Sequence, residues 1–353
     1  MAELRPDRIE TLLLTAVSHG ASDVHIVVGH QPLFRIDGKL VEVETEAILT
    51  PQDTHDLVMS MLNPEQERKF SQERELDFAY AVKQTARFRV NAHWERGYVG
   101  MVARIVNANP PTMEQIGLSQ QAVIELTRMR QGLVLLTGPT GCGKSTSLAA
   151  MVEQINRERK AHIVTLEDPV EFLFTSKESI IRQRELHRDF LSFAEALKHI
   201  VRQDPNVIMV GEMRDLETIA AALTVAETGH LVFATLHTNG SAETIDRVID
   251  VFPPFQQHQI RLQLSLELRA VISQVLLPGI SGGRVAAREI MMNTPAVSNL
   301  IRENKVAQLQ TVMQTSAQED MVTLDQDIKR LYQERQISRD VARVYMENPE
   351  LLP

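Results

Sequence analysis

A glycine-rich segment in the middle of the chain has the spacing of a phosphate-binding loop. Residues 138–145 fit G-x-x-x-x-G-K-[S/T] at every fixed position, between an apolar run and a stretch of helical character. Glycines let backbone N–H groups wrap a phosphate, and the start of the following helix adds partial positive charge. The predicted ATP-contacting residues are Gly138, Pro139, Thr140, Gly141, Cys142, Gly143, Lys144, Ser145 and Thr146.

Three members of this loop have specific expectations. Lys144 is predicted to reach the β- and γ-phosphates, and to face solvent until phosphate arrives, while the Ser145 hydroxyl is predicted to ligate Mg²⁺. Cys142 is predicted to point away from the phosphates as a small residue. The alternative is a redox-sensitive thiol at a helix N-terminus, whose oxidation would block nucleotide binding.

Two glutamates follow other apolar runs and are candidates for the catalytic carboxylates. A P-loop site needs a carboxylate that positions Mg²⁺ and a group that orients the attacking water. Many P-loop proteins have Asp at the end of the second of these strands, but Gly211 stands there. Glu212 is therefore predicted to serve the metal, directly or through water, and Glu167 to orient the attacking water. The two roles are open to exchange.

Two histidines flank a fourth apolar run, residues 231–234. A single histidine is usually structural, but two at the ends of a strand that should border the P-loop strand indicate a role at the site. His237 is predicted to sense the γ-phosphate. His230 is predicted to stabilise a loop or an interface of the catalytic unit.

Four apolar runs of strand length lead into these polar clusters. They are residues 133–136, 163–166, 207–210 and 231–234, and they are apolar on both faces. Such runs are typical of parallel strands buried between helices, which predicts an α/β fold. Ligands bind at the carboxyl ends of strands in open α/β sheets, so the four clusters should converge on one site. After about Gln256 the chain is predicted to be mostly helical.

The first 105 residues have a different pattern, typical of an α+β domain. Helices are predicted over residues 5–18 and 51–61, strands over 24–28, 87–93 and 99–106, and a hairpin over 34–43. Pro110 and Pro111 cannot continue a helix or a central strand, which predicts a linker over 106–112. The ATPase domain is then predicted to span 113–353.

Composition excludes several classes of protein. The net charge of −9 disfavours a nucleic-acid partner, which usually requires a basic face. One cysteine supports neither an internal disulfide nor a four-ligand zinc site, and it agrees with a cytoplasmic protein. No apolar run approaches the roughly 20 residues that span a bilayer, so no direct membrane span is predicted.

Three longer stretches, residues 165–171, 204–215 and 226–238, resemble the Asp box, the atypical Walker B motif and the His box of the secretion ATPase superfamily. More narrowly, the chain resembles the twitching-motility ATPases that retract type IV pili. The supporting segments are residues 87–91, 248–253 and 293–309. The resemblance covers nearly the whole chain.

The resemblance implies a PAS-like N-terminal domain and a RecA-like ATPase core, to which residue patterns add a helical C-terminal extension. It implies a homo-hexameric ring in the cytoplasm, at the inner face of the membrane beneath a pilus machine. The implied partners are an inner-membrane pilus platform protein and, as further candidates, other pilus ATPases.

The resemblance also implies that arginines of the N-terminal domain approach a neighbouring subunit's site. By position these are among Arg87, Arg89 and Arg104, with Arg89 and Arg104 favoured. From their own context, all three would be solvated strand arginines. Val297 and Ser298 replace an Ile-Arg pair that is usual in the C-terminal family motif, and this change leaves the hydrolysis site untouched.

Several other functions compete with a retraction motor. An accessory retraction ATPase is the nearest alternative. Pilus-extension and type II secretion ATPases usually carry an extra N-terminal domain and a four-cysteine metal site, which this chain lacks. A RecA-like DNA-dependent ATPase would need a basic channel with aromatic platforms, whereas aromatic residues make up 5% of the chain. A nucleotide switch without hydrolysis is the remaining alternative.

Overall fold

The chain divides into two units, Met1–Asn109 and Pro110–Pro353. The structure, a computed structural model, describes residues 8–36, 38–82, 86–106, 110–316 and 320–352. Within these ranges no helix is long and apolar enough to cross a membrane.

The first unit has one antiparallel sheet of strand order β3-β2-β1-β6-β5-β4. Its described elements are α1 (Arg8–Ser18), β1 (Asp23–Ile26), β2 (Leu33–Ile36), β3 (Lys39–Glu42), α2 (Pro51–Met59), α3 (Pro64–Glu73), β4 (Glu75–Val82), β5 (Ala86–Glu95) and β6 (Tyr98–Val106). Helix α1 buries one apolar face in the core of this unit, as its 3.6-residue spacing predicts.

The predicted hairpin is confirmed, because β2 pairs with β3 in antiparallel register. Its predicted turn residue Asp37 and the predicted helix start at residues 5–7 lie outside the described residues, as do residues 107–109 of the predicted linker. Two elements of this unit, α3 and β4, were not predicted. Helix α3 buries only Phe70, so its apolar periodicity is weak. The helix begins with a capping box at Asn63. Strand β4 does alternate buried and exposed residues, a signal that was present in the sequence.

The second unit is a seven-stranded sheet of order β13-β12-β7-β11-β10-β8-β9, flanked by helices. Its described elements are α4 (Gln121–Arg128), β7 (Gly132–Thr137), α5 (Lys144–Glu158), β8 (His162–Glu167), β9 (Ile180–Glu185), α6 (Phe193–Ile200), β10 (Val207–Val210), α7 (Leu216–Glu227), β11 (Leu231–Leu236), α8 (Ser241–Asp250), α9 (Pro254–Glu267), β12 (Leu268–Pro278), β13 (Arg284–Met292), α10 (Pro295–Arg302), α11 (Leu309–Thr315), α12 (Leu324–Gln333) and α13 (Arg339–Tyr345).

The four predicted buried strands are confirmed as β7, β8, β10 and β11. They pair in parallel and lie next to one another in the order β7-β11-β10-β8. Almost every residue in them is buried, because helices cover both faces of the sheet. Their carboxyl ends therefore lie at one edge of the sheet.

The prediction that the chain is mostly helical after Gln256 is wrong for residues 268–292. Strand β12 joins the sheet in parallel beside β7, and β13 pairs with β12 in antiparallel register. The reason is tertiary, because the edge of β7 needs a partner and β12 supplies apolar residues that are buried on both faces. Helices resume at α10 and continue through α13.

Candidate active site

The phosphate loop follows β7 and begins α5, as the motif predicts. Gly138, Gly141 and Gly143 have φ angles of +138°, +78° and +88°, which side chains rarely tolerate. A Cβ on Gly138 would lie 2.3 Å from the carbonyl oxygen of Gln274. Gly143 precedes α5 without capping it through a side chain, so the first N–H groups of the helix are available to an anion.

The Lys144 side chain does not face solvent, contrary to the expectation from sequence. The residue is only 9% exposed, and its Nζ donates to the carbonyl oxygens of Gly138 at 2.7 Å and Pro139 at 3.1 Å. The loop curls back over its own lysine, which a motif cannot reveal. Burial lowers the pKa of Lys144 from its ordinary value. Nζ also lies 3.3 Å from His237 Nδ1.

Cys142 is buried, and its Sγ lies 2.7 Å from the position that a Cβ on Gly138 would occupy. Burial raises the pKa of this thiol, so the thiolate is disfavoured. Burial and the raised pKa disfavour the interpretation of Cys142 as a redox-sensitive thiolate, and its orientation away from the phosphates stays a prediction.

Glu212 and His237 come together at the ends of adjacent strands β10 and β11. His237 Nε2 lies 3.1 Å from one carboxylate oxygen of Glu212, and Arg214 donates to the other at 2.8 Å. Partial burial opposes ionisation of Glu212, but Arg214 and His237 outweigh it and hold the pKa of Glu212 below its ordinary value. The site thus contains a carboxylate that is ionised at neutral pH, connected through His237 to Lys144.

Gly211 directly follows β10, at the position where many P-loop proteins have Asp, and its surroundings leave little room for a side chain. A Cβ on Gly211 would lie 3.2 Å from the carbonyl oxygen of Leu166 and 3.4 Å from the Cα of Glu167. Strands β8 and β10 approach too closely here for an aspartate without adjustment. The acidic residue stands one place later, at Glu212.

Glu167 ends β8 at the same edge of the sheet and is buried. Its carboxylate accepts hydrogen bonds from Thr165 Oγ1 at 2.6 Å and Gln183 Nε2 at 3.0 Å. Burial raises the pKa of Glu167 to about 7, although these hydrogen bonds oppose the rise. A carboxylate with a pKa near neutrality is suited to accept a proton from water.

Among the predicted catalytic residues of the second unit, the structure places His230 away from Glu167, Glu212 and His237. It precedes β11, whose opposite end leads to His237, and a six-residue strand is about 16–20 Å long. His230 Nδ1 lies 3.1 Å from the carbonyl oxygen of Val225, near the end of α7. Within one chain its side chain is therefore remote from the phosphate loop, and its predicted role at a loop or an interface stays a prediction.

Arg89 and Arg104 face each other across β5 and β6 in the first unit. Both are exposed, and Arg104 Nε donates to the buried carboxylate of Asp23 at 2.8 Å. Burial opposes ionisation of Asp23, but the bonds from Arg104 and Ser22 keep the pKa of Asp23 below its ordinary value. The Arg104 guanidinium is thus oriented by an ionised neighbour.

A cavity of about 950 Å³ lies beside the phosphate loop, within the second unit. Gly143, Thr146 and Ser147 form its loop side, and the segment 114–120 forms another side. Two further lining residues, Gln274 and Arg288, were not predicted as site residues. The available signal was a lone glutamine in the apolar run of β12, which was expected to be helical.

A phosphate loop after a central parallel strand, with acidic residues at neighbouring strand ends, defines a P-loop nucleotide-binding protein. The family model described as "Type II/IV secretion system protein" matches residues 6–347. The chain belongs to this family and is an ATPase.

The chain is similar to named relatives over nearly its full length. It is 47% identical to the type IV pilus retractation ATPase PilT of Pseudomonas aeruginosa, covering 97% of this chain and 99% of that protein. It is 39% identical to the type IV pilus ATPase PilU of the same organism, covering 96% of this chain and 88% of that protein. The crystal structure of the pilus retraction motor PilT with bound ADP matches with a TM-score of 0.91 and 43% identity, covering 99% of both chains.

The first prediction concerns Lys144. Lys144→Ala should lower ATP hydrolysis by on the order of 100-fold or more, because a buried ammonium no longer stabilises the phosphates. Phosphate release gives the rate, and thermal melting shows whether the fold is intact. Lys198→Ala, which removes an exposed lysine paired with Glu195 on α6, should hydrolyse ATP like the unmodified protein. Normal turnover in folded Lys144→Ala would contradict the phosphate-loop assignment.

The second prediction concerns the proton that Glu167 carries. Turnover should rise with pH around 7, because Glu167 must be deprotonated to accept a proton from water. Glu167→Gln should lower turnover by about 10²–10⁴-fold and abolish that rise. Phosphate release at saturating ATP between about pH 5.5 and 8.5 tests both effects.

The pH dependence of the free energy of unfolding provides a second check on the proton of Glu167. Because the folded-state pKa of Glu167 lies above the ordinary 4.5, the folded protein binds this proton more tightly than the unfolded chain. The contribution of Glu167 to stability therefore falls as pH rises from about 4.5 to about 7.

Glu195→Gln, an exposed control on α6, should leave the pH profile of turnover unchanged. A Glu167→Gln profile identical to that of the unmodified protein would exclude the water-orienting role.

Proposed function

We propose that this ATPase drives the retraction of type IV pili and thereby twitching motility. The observation that carries this proposal is full-length similarity to retraction motors, with a complete set of phosphate-loop and strand-end residues in the chain. Identity to PilT exceeds identity to PilU, 47% against 39%, which favours the retraction motor over the accessory paralogue.

We further propose roles for the residues at the strand ends. The Ser145 hydroxyl and the ionised Glu212 carboxylate are oxygen ligands of the kind that Mg²⁺ prefers, together with water and ATP phosphates. No group of three or more His, Cys, Asp or Glu residues able to hold a metal occurs among the described residues, which suits an ion held largely by nucleotide and water. Mg²⁺ held by these residues would neutralise phosphate charge. Glu167 orients the attacking water, and His237 senses the γ-phosphate.

The remaining contacts of ATP follow from the cavity and the loop. The backbone of residues 138–146 binds the phosphates. The cavity beside Thr146 provides space for the nucleoside. His230 stabilises the turn between α7 and β11 through the Val225 carbonyl.

The active unit in this proposal is a homo-hexameric ring with composite sites. Arg89 and Arg104 of one subunit approach the phosphates bound by its neighbour. The geometry supports this role for the two arginines, because they lie side by side on the sheet. The side chain of Arg104 is 71% exposed, and Asp23 orients it. Positive charge there would stabilise the negative charge that develops on the transferred phosphoryl group.

The proposed partner is an inner-membrane pilus platform protein, with the ring on the cytoplasmic side and other pilus ATPases as further candidates. Helix α10 contributes the docking surface. It buries Val297 and Ile301 in its own unit, so its apolar side is already occupied. The exposed residues at the C-terminal end of α10 and just after it are polar, namely Asn299, Arg302 and Glu303, and these face the partner in this proposal.

The third prediction tests pilus retraction. Deletion of the gene in the organism that encodes this chain should leave cells with many unretracted pili and no twitching. Complementation with the wild-type gene should restore twitching, whereas Lys144→Ala should not. Pilus imaging and a surface motility assay measure the outcome. Loss of pili in the deletion strain would indicate an extension motor instead, and normal twitching would contradict the proposal.

The fourth prediction tests the composite site by mixing variants. Subunits with Lys144→Ala and subunits with Arg104→Ala should each be inactive, since a trans arginine is worth about 10³–10⁵ in rate in other P-loop enzymes. Mixed rings should regain part of the ATPase activity, because some interfaces pair an intact loop with an intact arginine. The control mixes Arg104→Ala subunits with the double variant Lys144→Ala/Arg104→Ala, which should give no rescue. Absence of rescue in rings shown by mass to be mixed would argue against Arg104.

A further inference from the structure

Gln274 on β12 lies directly beneath the phosphate loop and is buried. Its Nε2 donates to the carbonyl oxygen of Cys142, and its Oε1 accepts from Ser147 Oγ at 2.8 Å. The loop is packed against this residue at both ends. A Cβ on Gly143 would lie 2.8 Å from Gln274 Nε2, and one on Gly138 would lie 2.3 Å from its carbonyl oxygen.

Arg288 is the cross-strand neighbour of Gln274 on β13 and is also buried. Its Nε donates to Gln274 Oε1 at 3.0 Å. Because a guanidinium only donates and the Cys142 carbonyl only accepts, these two partners fix the orientation of the glutamine amide. Gln274 therefore holds the loop in one position and has no freedom to flip.

The other end of the Arg288 guanidinium binds a second backbone segment. Nη1 donates to the carbonyl oxygen of Gly117 at 2.9 Å and Nη2 to that of Ile116 at 2.8 Å. These residues follow closely on Pro110, where the second unit begins, and they line the cavity beside the loop. An unbroken chain of hydrogen bonds thus runs from Cys142 through Gln274 and Arg288 to residues 116–117.

A guanidinium that is buried with only these neutral oxygen partners at its side chain costs free energy, because its charge is removed from water. Arg288 gains one nearby negative charge, since Asp327 accepts its backbone N–H at 2.8 Å. An apolar residue on β13 would avoid the desolvation of a charge. The arrangement therefore indicates a function for the contacts themselves, namely a rigid connection between two backbone segments.

We propose that Gln274 is a positioning residue of the phosphate loop and that Arg288 connects it to residues 116–117. Occupation of the loop by phosphate is thereby transmitted to the segment that leads back to the first unit. This inference rests on the proposed binding of ATP phosphates at residues 138–146, and it does not depend on pilus retraction.

The test uses inorganic tripolyphosphate with Mg²⁺, because this probe fills the phosphate loop and has no nucleoside to enter the cavity. Hydrogen exchange of the full-length protein is measured with and without the probe. In the unmodified protein, exchange should slow by at least about threefold both in the loop and in residues 114–120, as transmitted ordering requires.

Two variants interrupt the connection at different points. Gln274→Leu and Arg288→Met should each keep the loop protected by tripolyphosphate and lose the protection of residues 114–120. Each should also weaken ADP binding by about tenfold, and the double variant should be no weaker than the worse single variant, because the residues act as one unit. Thermal melting confirms folding, and Gln274→Leu suffices if Arg288→Met does not fold.

Arg159 supplies a matched control. Arg159 directly follows α5, at the end of the helix opposite the phosphate loop, and it is also a desolvated arginine. Its Nη1 donates to the carbonyl oxygens of Thr127 at 2.8 Å and Met129 at 2.9 Å. Arg159→Met should lower the melting temperature without changing ADP affinity or the response of residues 114–120.

Two results would overturn the inference alone. One is a protected loop with unchanged exchange at residues 114–120 in the unmodified protein. The other is an unaltered response of that segment in folded Gln274→Leu. If tripolyphosphate protects nothing in the unmodified protein, the nucleotide site itself fails, and the inference fails with it.

Discussion

The contact between the Lys144 ammonium and the carbonyl oxygens of Gly138 and Pro139 holds the phosphate loop closed over its own lysine. This contact requires glycine at position 138, because any side chain there would collide with Gln274. It also leaves the ammonium 3.3 Å from His237, which meets Glu212 on its other side. The loop, His237 and Glu212 are thus parts of one connected arrangement.

The energetics of this arrangement favour an anionic ligand. Burial lowers the pKa of Lys144, since carbonyl dipoles compensate its charge less well than water or an anion would. An incoming triphosphate supplies the negative charge that the buried ammonium lacks, in a region where electrostatic interactions are stronger than in water. Glu212 stays ionised beside Arg214, whereas Glu167 holds its proton up to about pH 7. Two carboxylates at one edge of a sheet therefore acquire different properties from their surroundings.

The sequence predicted the parts of the site that depend on local patterns. The phosphate loop and strands β7, β8, β10 and β11 follow from residue spacing and from apolar runs, and the structure confirms them. Features that depend on distant neighbours escaped prediction. Strands β12 and β13 form because the edge of β7 is open to pairing, and the burial of Lys144 follows from the curl of the loop. His230 and His237 looked equivalent because both flank one run, yet the two ends of a strand lie at opposite edges of the sheet.

A crystal structure of the protein with Mg²⁺ and a non-hydrolysable ATP analogue would show whether the contact between Lys144 and its own loop opens for the phosphates. We expect Lys144 Nζ to leave the carbonyls of Gly138 and Pro139 and to contact the β- and γ-phosphates. We also expect His237 to lie within hydrogen-bonding distance of the γ-phosphate and Glu212 to serve the metal. An analogue bound elsewhere, or bound at the loop while Lys144 stays on its carbonyls, would contradict the role of Lys144 in phosphate binding.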